Sequence, residues 1–240
     1  MAQPVNASGS RLEGRRTMTD EGSIQRNVLA DQVRDYLLQG IFSGRFPPDT
    51  RIVETRVARD LGTSQAPVRE ALRALEALGA VDIEPFKGAR VRRPSSTELV
   101  EAYEVRSTLE SLGARLGVPR MTDADLEEIG QLHDALQEAV ALRDQHLLAE
   151  RDAAFHARVL RLSGNAMLER VWRSLEPTSR TYMTLVAPNA DPHWTVGLHP
   201  PIMRALRDRD PGAVEAALAR HFDEASRHMV SGLRSLTPSS

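Results

Sequence analysis

At 240 residues the chain is long enough for two domains, each with a core of its own. It contains no cysteine, which excludes disulfides and thiolate metal sites, so any metal must take imidazole, carboxylate or water ligands. The net charge of −2 hides an asymmetry: residues 1–96 carry an excess of basic side chains and residues 97–240 an excess of acidic ones. A polyanion is therefore expected to meet only the first part. No run approaches the roughly 20 apolar residues of a membrane span. Residues 1–22 lack the apolar stretch of a secretory signal and read as a disordered tail, so the protein is expected to be cytoplasmic.

Residues 23–93 read as one folding unit. In IQRNVLADQVRDYLLQGI, residues 24–41, the apolar groups Val28, Leu29, Val33, Tyr36, Leu37 and Ile41 form a helical stripe, which Gly40 and SGRFPPDT bring to an end. VETRVARDLG predicts a short second helix closed by Gly62. A third helix follows, with Ser64 in N-cap position and Pro67 in the first turn, where a missing N–H costs little. Val68, Ala71, Leu72, Leu75 and Leu78 form its apolar stripe, and Gly79 ends it. The runs AVDIE and ARV, joined by PFKG, then alternate as a β-hairpin with Lys87 and Gly88 at its tip. A helix-turn-helix followed by a hairpin is a winged helix.

The other face of the third helix carries Gln65, Arg69 and Arg73 at i, i+4 and i+8. Gln can pair with adenine and Arg with guanine in the major groove, and either Arg can also grip phosphate. A solvated helix face would carry the same residue types, but the turn, the wing and the basic excess beside it point to double-stranded DNA. The stretch from GRFPPDT to KGARV, and PVREALRALEALG above all, resembles the winged-helix domain of the GntR family of bacterial transcription regulators. The resemblance implies that Ser64, Gln65, Arg69, Arg73, Lys87 and Gly88 meet DNA. The family's usual Ser-Arg-Thr before that core is Ser64-Gln65-Ala66 here, so an arginine that often contacts DNA is absent. That departure bears on the operator sequence.

Residues 94–97 form a linker, in which Pro94 blocks helix and Ser95 can form a capping box with Glu98. Residues 98–234 show helical periodicity and no strand signal, with helices expected at about 97–117, 122–143, 145–163, 165–187, 200–209 and 211–232. Stripes such as Leu126, Ile129, Leu136 and Val140 predict an all-α antiparallel bundle. The expected fold is thus mainly α: a winged helix-turn-helix with a small β-hairpin wing, then the bundle.

Within RDAAFHARVL, Asp152 and His156 stand four apart on one helix face. Such a pair alone serves as a surface ion pair or as half of a metal site. YEVRSTLESLGARL, DAAFHARVLRLSGN and LHPPIMRALRDRDPGAVEAALARHFDEA resemble the FCD effector domain of the FadR subfamily of the same regulators. The resemblance implies a divalent metal of the Zn, Ni or Mn class held by Asp152, His156, His199 and His221. His193 is an alternative to His199, which precedes two prolines at a helix start; His228 reads as a solvated or packing residue, His133 as core and His146 as loop.

Arg106, in an Arg-x-x-Leu-Glu context with Glu110, is expected either to clamp a small organic or sugar acid or to form a surface salt bridge with Glu110. Arg180 and Tyr182 are further effector-binding candidates. The resulting expectation is a homodimeric, metabolite-responsive repressor on a pseudopalindromic operator. The same Asp/His set could instead activate water in a metal-dependent enzyme, or hold a purely structural metal.

Overall fold

The computed structural model describes the backbone of residues 18–84, 87–181 and 191–234, and the side chains of most of these from residue 28 to residue 228. Helix α1, Met18–Phe42, begins inside the segment expected to be a tail. The earlier part of that tail lies outside the described residues.

Helix α2, Glu54–Asp60, ends as expected, with Gly62 in the left-handed region at φ 63°. Helix α3, Gln65–Ala77, buries Val68, Ala71, Leu72 and Leu75 against Val33, Leu37 and Ile41 of α1. The hairpin is present as β2, Val81–Glu84, and β3, Gly88–Val91, paired antiparallel. A third strand, β1, Arg51–Ile52, joins β3, so the sheet order is β1-β3-β2. Two residues are too few to show the period-two alternation by which a strand is read.

The second core is all-helical among the described residues. Helix α4, Ser96–Gly117, starts at the expected capping box, with Ser95 accepting from the Glu98 N–H and Glu98 from the Ser95 N–H. After a 3-10 turn at Val118–Arg120 come α5, Asp123–Leu142, and α6, Gln145–Arg161. Arg143 takes φ 54° and Asp144 caps α6, which is why the helical stripe breaks there. Next are α7, Ala166–Thr181, α8, Pro192–Gly197, α9, Pro200–Arg207, and α10, Pro211–Arg234. Helix α8 falls in a stretch expected to be loop; Asp191 caps it and Pro192 opens it, but six residues carry no readable stripe. Leu99, Tyr103, Phe155, Ile202, Leu218 and Phe222 belong to the common core.

Two close approaches set the inner geometry. On α4, Gly113 and Gly117 are one turn apart and face the end of α6: a Cβ on Gly113 would lie 3.1 Å from the Leu160 Cα, and one on Gly117 2.4 Å from the Leu162 carbonyl carbon. Their missing side chains let the two helices meet almost backbone to backbone, with Glu110 one turn before. The two domains also touch directly. Phe42, the last residue of α1, has its carbonyl oxygen 2.6 Å from His146 Nδ1 and its ring 3.9 Å beneath the Arg180 guanidinium carbon. His146, expected in a loop, sits in the first turn of α6 and holds the end of α1.

Gly117→Ala should destabilise the protein by about 1–3 kcal/mol, the usual range for overpacking a filled core. Urea-induced unfolding followed by far-ultraviolet circular dichroism reads that loss.

Candidate metal centre and nucleic-acid interface

Helix α3 leaves Ser64, Gln65, Arg69 and Arg73 exposed along one side while its opposite face fills the core. Ser64 stands at the N-cap with an extended backbone, but its hydroxyl makes no capping bond. Arg69 donates from Nε and Nη2 to Glu54 Oε2, at 3.2 and 2.9 Å, and stays half exposed. The first turn of α2 thus steadies the middle arginine of α3. Lys87 is exposed at the hairpin tip, with Nζ 3.5 Å from Glu84 Oε2. Gly88 adopts φ 90° and backs onto β1, where a Cβ would lie 2.9 Å from the Ile52 carbonyl oxygen. Arg51 of β1 donates to the Lys87 carbonyl oxygen, so the third strand braces the wing from below. Pro85 and Phe86 lie outside the described residues.

In the bundle, Asp152 and His156 of α6, His199 at the N-cap of α9 and His221 of α10 are brought together, all buried. Each offers one ligand atom, and these atoms lie within 4.8 Å of one another. Asp152 Oδ1 is 3.3 Å from His199 Nε2 and 3.8 Å from His156 Nε2. The exposed His193, the alternative ligand, stands outside this group, and His228 instead stacks on Trp194. His133 is buried near the Phe155 ring, as a core residue is expected to be.

Three imidazole nitrogens of this group, His156 Nε2, His199 Nε2 and His221 Nδ1, are buried without a hydrogen-bond partner among the described residues, as is His133 Nε2 outside it. A buried polar atom without a partner costs about 1–3 kcal/mol, and several around one point call for a shared occupant. The protonation states suit a cation. Burial first, then His156 and His199, holds the His221 imidazole well below its ordinary value, so it is neutral and has a lone pair to give. Burial pushes the Asp152 carboxyl up, but His156, the His199 imidazole beside it and the Arg106 charge outweigh it and hold it below the usual range. Three imidazoles and one carboxylate fit a divalent ion of the Zn, Ni or Mn class.

Arg106 lies beside this group, buried within reach of the Tyr103, Trp172 and Phe222 rings. Its Nε donates to Glu110 Oε1 at 3.2 Å, so the expected ion pair exists, but deep inside the bundle and not on its surface. Nη2 lies 3.1 Å from the same Oε1 as an ion-pair contact that lacks hydrogen-bond geometry. Burial would raise the Glu110 carboxyl, yet the facing His156 imidazole and the Arg106 guanidinium prevail and its pKa is lowered. Arg180 sits away at the domain junction, with Nη1 3.0 Å from Glu176 and its guanidinium over Phe42. Tyr182 lies outside the described residues.

Three contacts around this group escaped sequence reasoning. Glu110 faces His156 across helices, Trp172 Nε1 donates to Glu110, and the Thr195 carbonyl oxygen meets His199 Nδ1 at 3.1 Å. Two of these contacts join residues far apart in sequence, and the third is made by a backbone carbonyl oxygen. The linear signal nearby, the i, i+4 spacing of Arg106 and Glu110, pointed only to an ion pair between those two.

Residues 29–91 match the family described as bacterial regulatory proteins, gntR family, and residues 101–224 match the FCD domain. The chain is similar to a "Probable D-xylose utilization operon transcriptional repressor" of Paenarthrobacter nicotinovorans, with 35% identity over 82% of this chain and 87% of that protein. It is 31% identical to the "Nta operon transcriptional regulator" of Aminobacter aminovorans over 76% of this chain and 87% of the relative. The solved structure of Escherichia coli McbR/YncC superposes with a TM-score of 0.75 at 22% identity, covering 85% of this chain and 98% of that one, which supports the fold. No described helix is long and apolar enough to cross a membrane. Both halves and their order agree: the chain belongs to the GntR family of bacterial regulatory proteins, and it is a DNA-binding transcription regulator with an FCD domain behind its winged helix.

Proposed function

We propose that the protein is a homodimeric repressor that leaves a pseudopalindromic operator when a small organic or sugar acid binds a divalent metal in its helical domain. The observation that carries this reading is the buried Asp152, His156, His199 and His221 group, whose partnerless nitrogens surround one point beside Arg106. A metal with four protein ligands keeps positions for further oxygen donors, and as a Lewis acid it would hold a carboxylate there. Nη2 of Arg106, ion-paired with Glu110 at 3.1 Å but outside hydrogen-bond geometry, offers that carboxylate a charge-assisted hydrogen bond. The name of the relative concerned with D-xylose utilization is in keeping with a sugar-derived acid. Glu110, the other buried carboxylate among the described residues, is occupied by donors and is no free proton shuttle, which favours sensing over turnover.

A dimer is needed to read two half-sites about one helical turn apart. Helices α4 and α7 pack together and expose Val105, Leu116, Met167 and Val171, apolar groups suited to a two-fold contact. Within one chain, the route from metal to DNA passes through Phe42. It is held by His146 on α6, the helix of Asp152 and His156, and by Arg180 on α7. A shift of either helix is felt at the end of α1. An effector changes DNA occupancy only through a difference in affinity between the two arrangements, and a few kcal/mol suffice.

Asp152→Ala and His156→Ala are each expected to lower bound metal, read by elemental analysis, and to abolish the gain in melting temperature on adding metal. A wild-type protein without metal that gains no stability from any divalent ion overturns this reading. Arg69→Ala should weaken operator binding by about 1–3 kcal/mol in a gel-shift titration while the bundle stays folded; Lys87→Ala should lower the salt slope by about one. Arg106→Ala is expected to bind operator normally and to ignore the inducing acid, since Glu110 keeps His156 and Trp172 as partners and the fold survives. Lost operator binding, or a wild-type response to the acid, rules the clamp out.

A further inference from the structure

We infer that Glu110 is the positioning residue of the metal centre: it dictates which nitrogen of His156 carries the proton and fixes Arg106 through the same carboxylate. The inference rests on the metal reading above and goes one shell outward from it. Glu110 is fully buried and three side chains converge on it. Its Oε2 lies 2.5 Å from His156 Nδ1, and its Oε1 takes the Trp172 Nε1–H at 2.6 Å and the Arg106 Nε–H at 3.2 Å.

The proton assignment follows from what these groups can do. Indole and guanidinium nitrogens only donate, and a carboxylate that receives them only accepts. His156 Nδ1 therefore has to donate as well, because two acceptors do not approach to 2.5 Å. With the proton on Nδ1, the lone pair of a neutral imidazole is on Nε2, the atom 3.8 Å from Asp152 and otherwise without a partner among the described residues. A charged partner behind an imidazole also raises its strength as a ligand. His199 is oriented by a neutral group, the Thr195 carbonyl oxygen, so the two histidines are held by different means. The arrangement depends on how close α4 lies to α6, which Gly113 and Gly117 permit.

Glu110→Gln keeps the shape and removes this logic. If the amide nitrogen faces His156, Nδ1 must accept and the proton moves to Nε2. If the amide turns round, its N–H₂ meets the donors of Trp172 and Arg106.

Nitrogen NMR of histidine-labelled, metal-free protein is expected to show the His156 proton on Nδ1 in wild type and displaced from it in Glu110→Gln. Zinc affinity, measured by competition with a chromophoric chelator, should fall about tenfold to a hundredfold in the variant. Adding Glu110→Gln to His156→Ala should lower zinc affinity no further, since Glu110 acts through that imidazole. Trp172→Phe, which removes another donor from the same carboxylate, should keep zinc affinity near wild type. A wild-type proton on Nε2, an unchanged zinc affinity in Glu110→Gln, or an equal loss in Trp172→Phe overturns the inference. A wild type that takes no zinc overturns the metal reading instead, and the NMR measurement, made without metal, still decides the role of Glu110.

Discussion

Charge has been taken into the middle of a helical bundle, and the bundle is shaped by the need to pair it. Arg106, Glu110 and Asp152 are all buried, in a medium where an isolated ion costs several kcal/mol. Each is placed against groups of complementary character: Arg106 against Glu110 and three aromatic rings, Glu110 against three donors, Asp152 against two imidazoles. What remains after this pairing is specific. The leftover capacity lies on imidazole nitrogens and one guanidinium edge around a single point, which is the chemistry of a cation with an anion beside it.

The cost of that pairing is borne by packing. Helix α4 brings Arg106 and Glu110 to His156 of α6 only because glycines at 113 and 117 let the two backbones approach. Helix α10 brings His221, and the turn from α8 into α9 brings His199, with Phe155 edge-on against the rings of His156 and His199. A ligand that tightened or loosened this group would have few soft places in which to dissipate the change, since close-packed cores transmit strain. The contacts of Phe42 with His146 and Arg180 attach the DNA-binding domain to two helices of the same core.

Much of the architecture was legible because it is local. Alternation marked the hairpin, helical stripes marked the recognition helix and the bundle, and caps such as Ser95 with Glu98 marked helix starts. Elements escaped where their length is below the period that reveals them, as with the two residues of β1 and the six of α8. The beginning of α1 escaped because its helical residues lack an apolar stripe to set them apart from a polar tail.

The four clustered residues Asp152, His156, His199 and His221 could be named from motifs, since residue type and order along the chain are properties of the sequence itself. The exposed row Gln65, Arg69 and Arg73 was readable for the same reason, as a helix repeats its faces every 3.6 residues. Tertiary structure alone decided that Arg106 and Glu110 form a buried pair and not a surface one, and that Glu110 turns towards His156. It alone placed Arg180 and His146 on Phe42 at the domain junction. The spacing along α4 pairs Arg106 with Glu110 but does not say that the pair is buried. The other contacts join residues on different helices, whose meeting depends on the angle and closeness of packing.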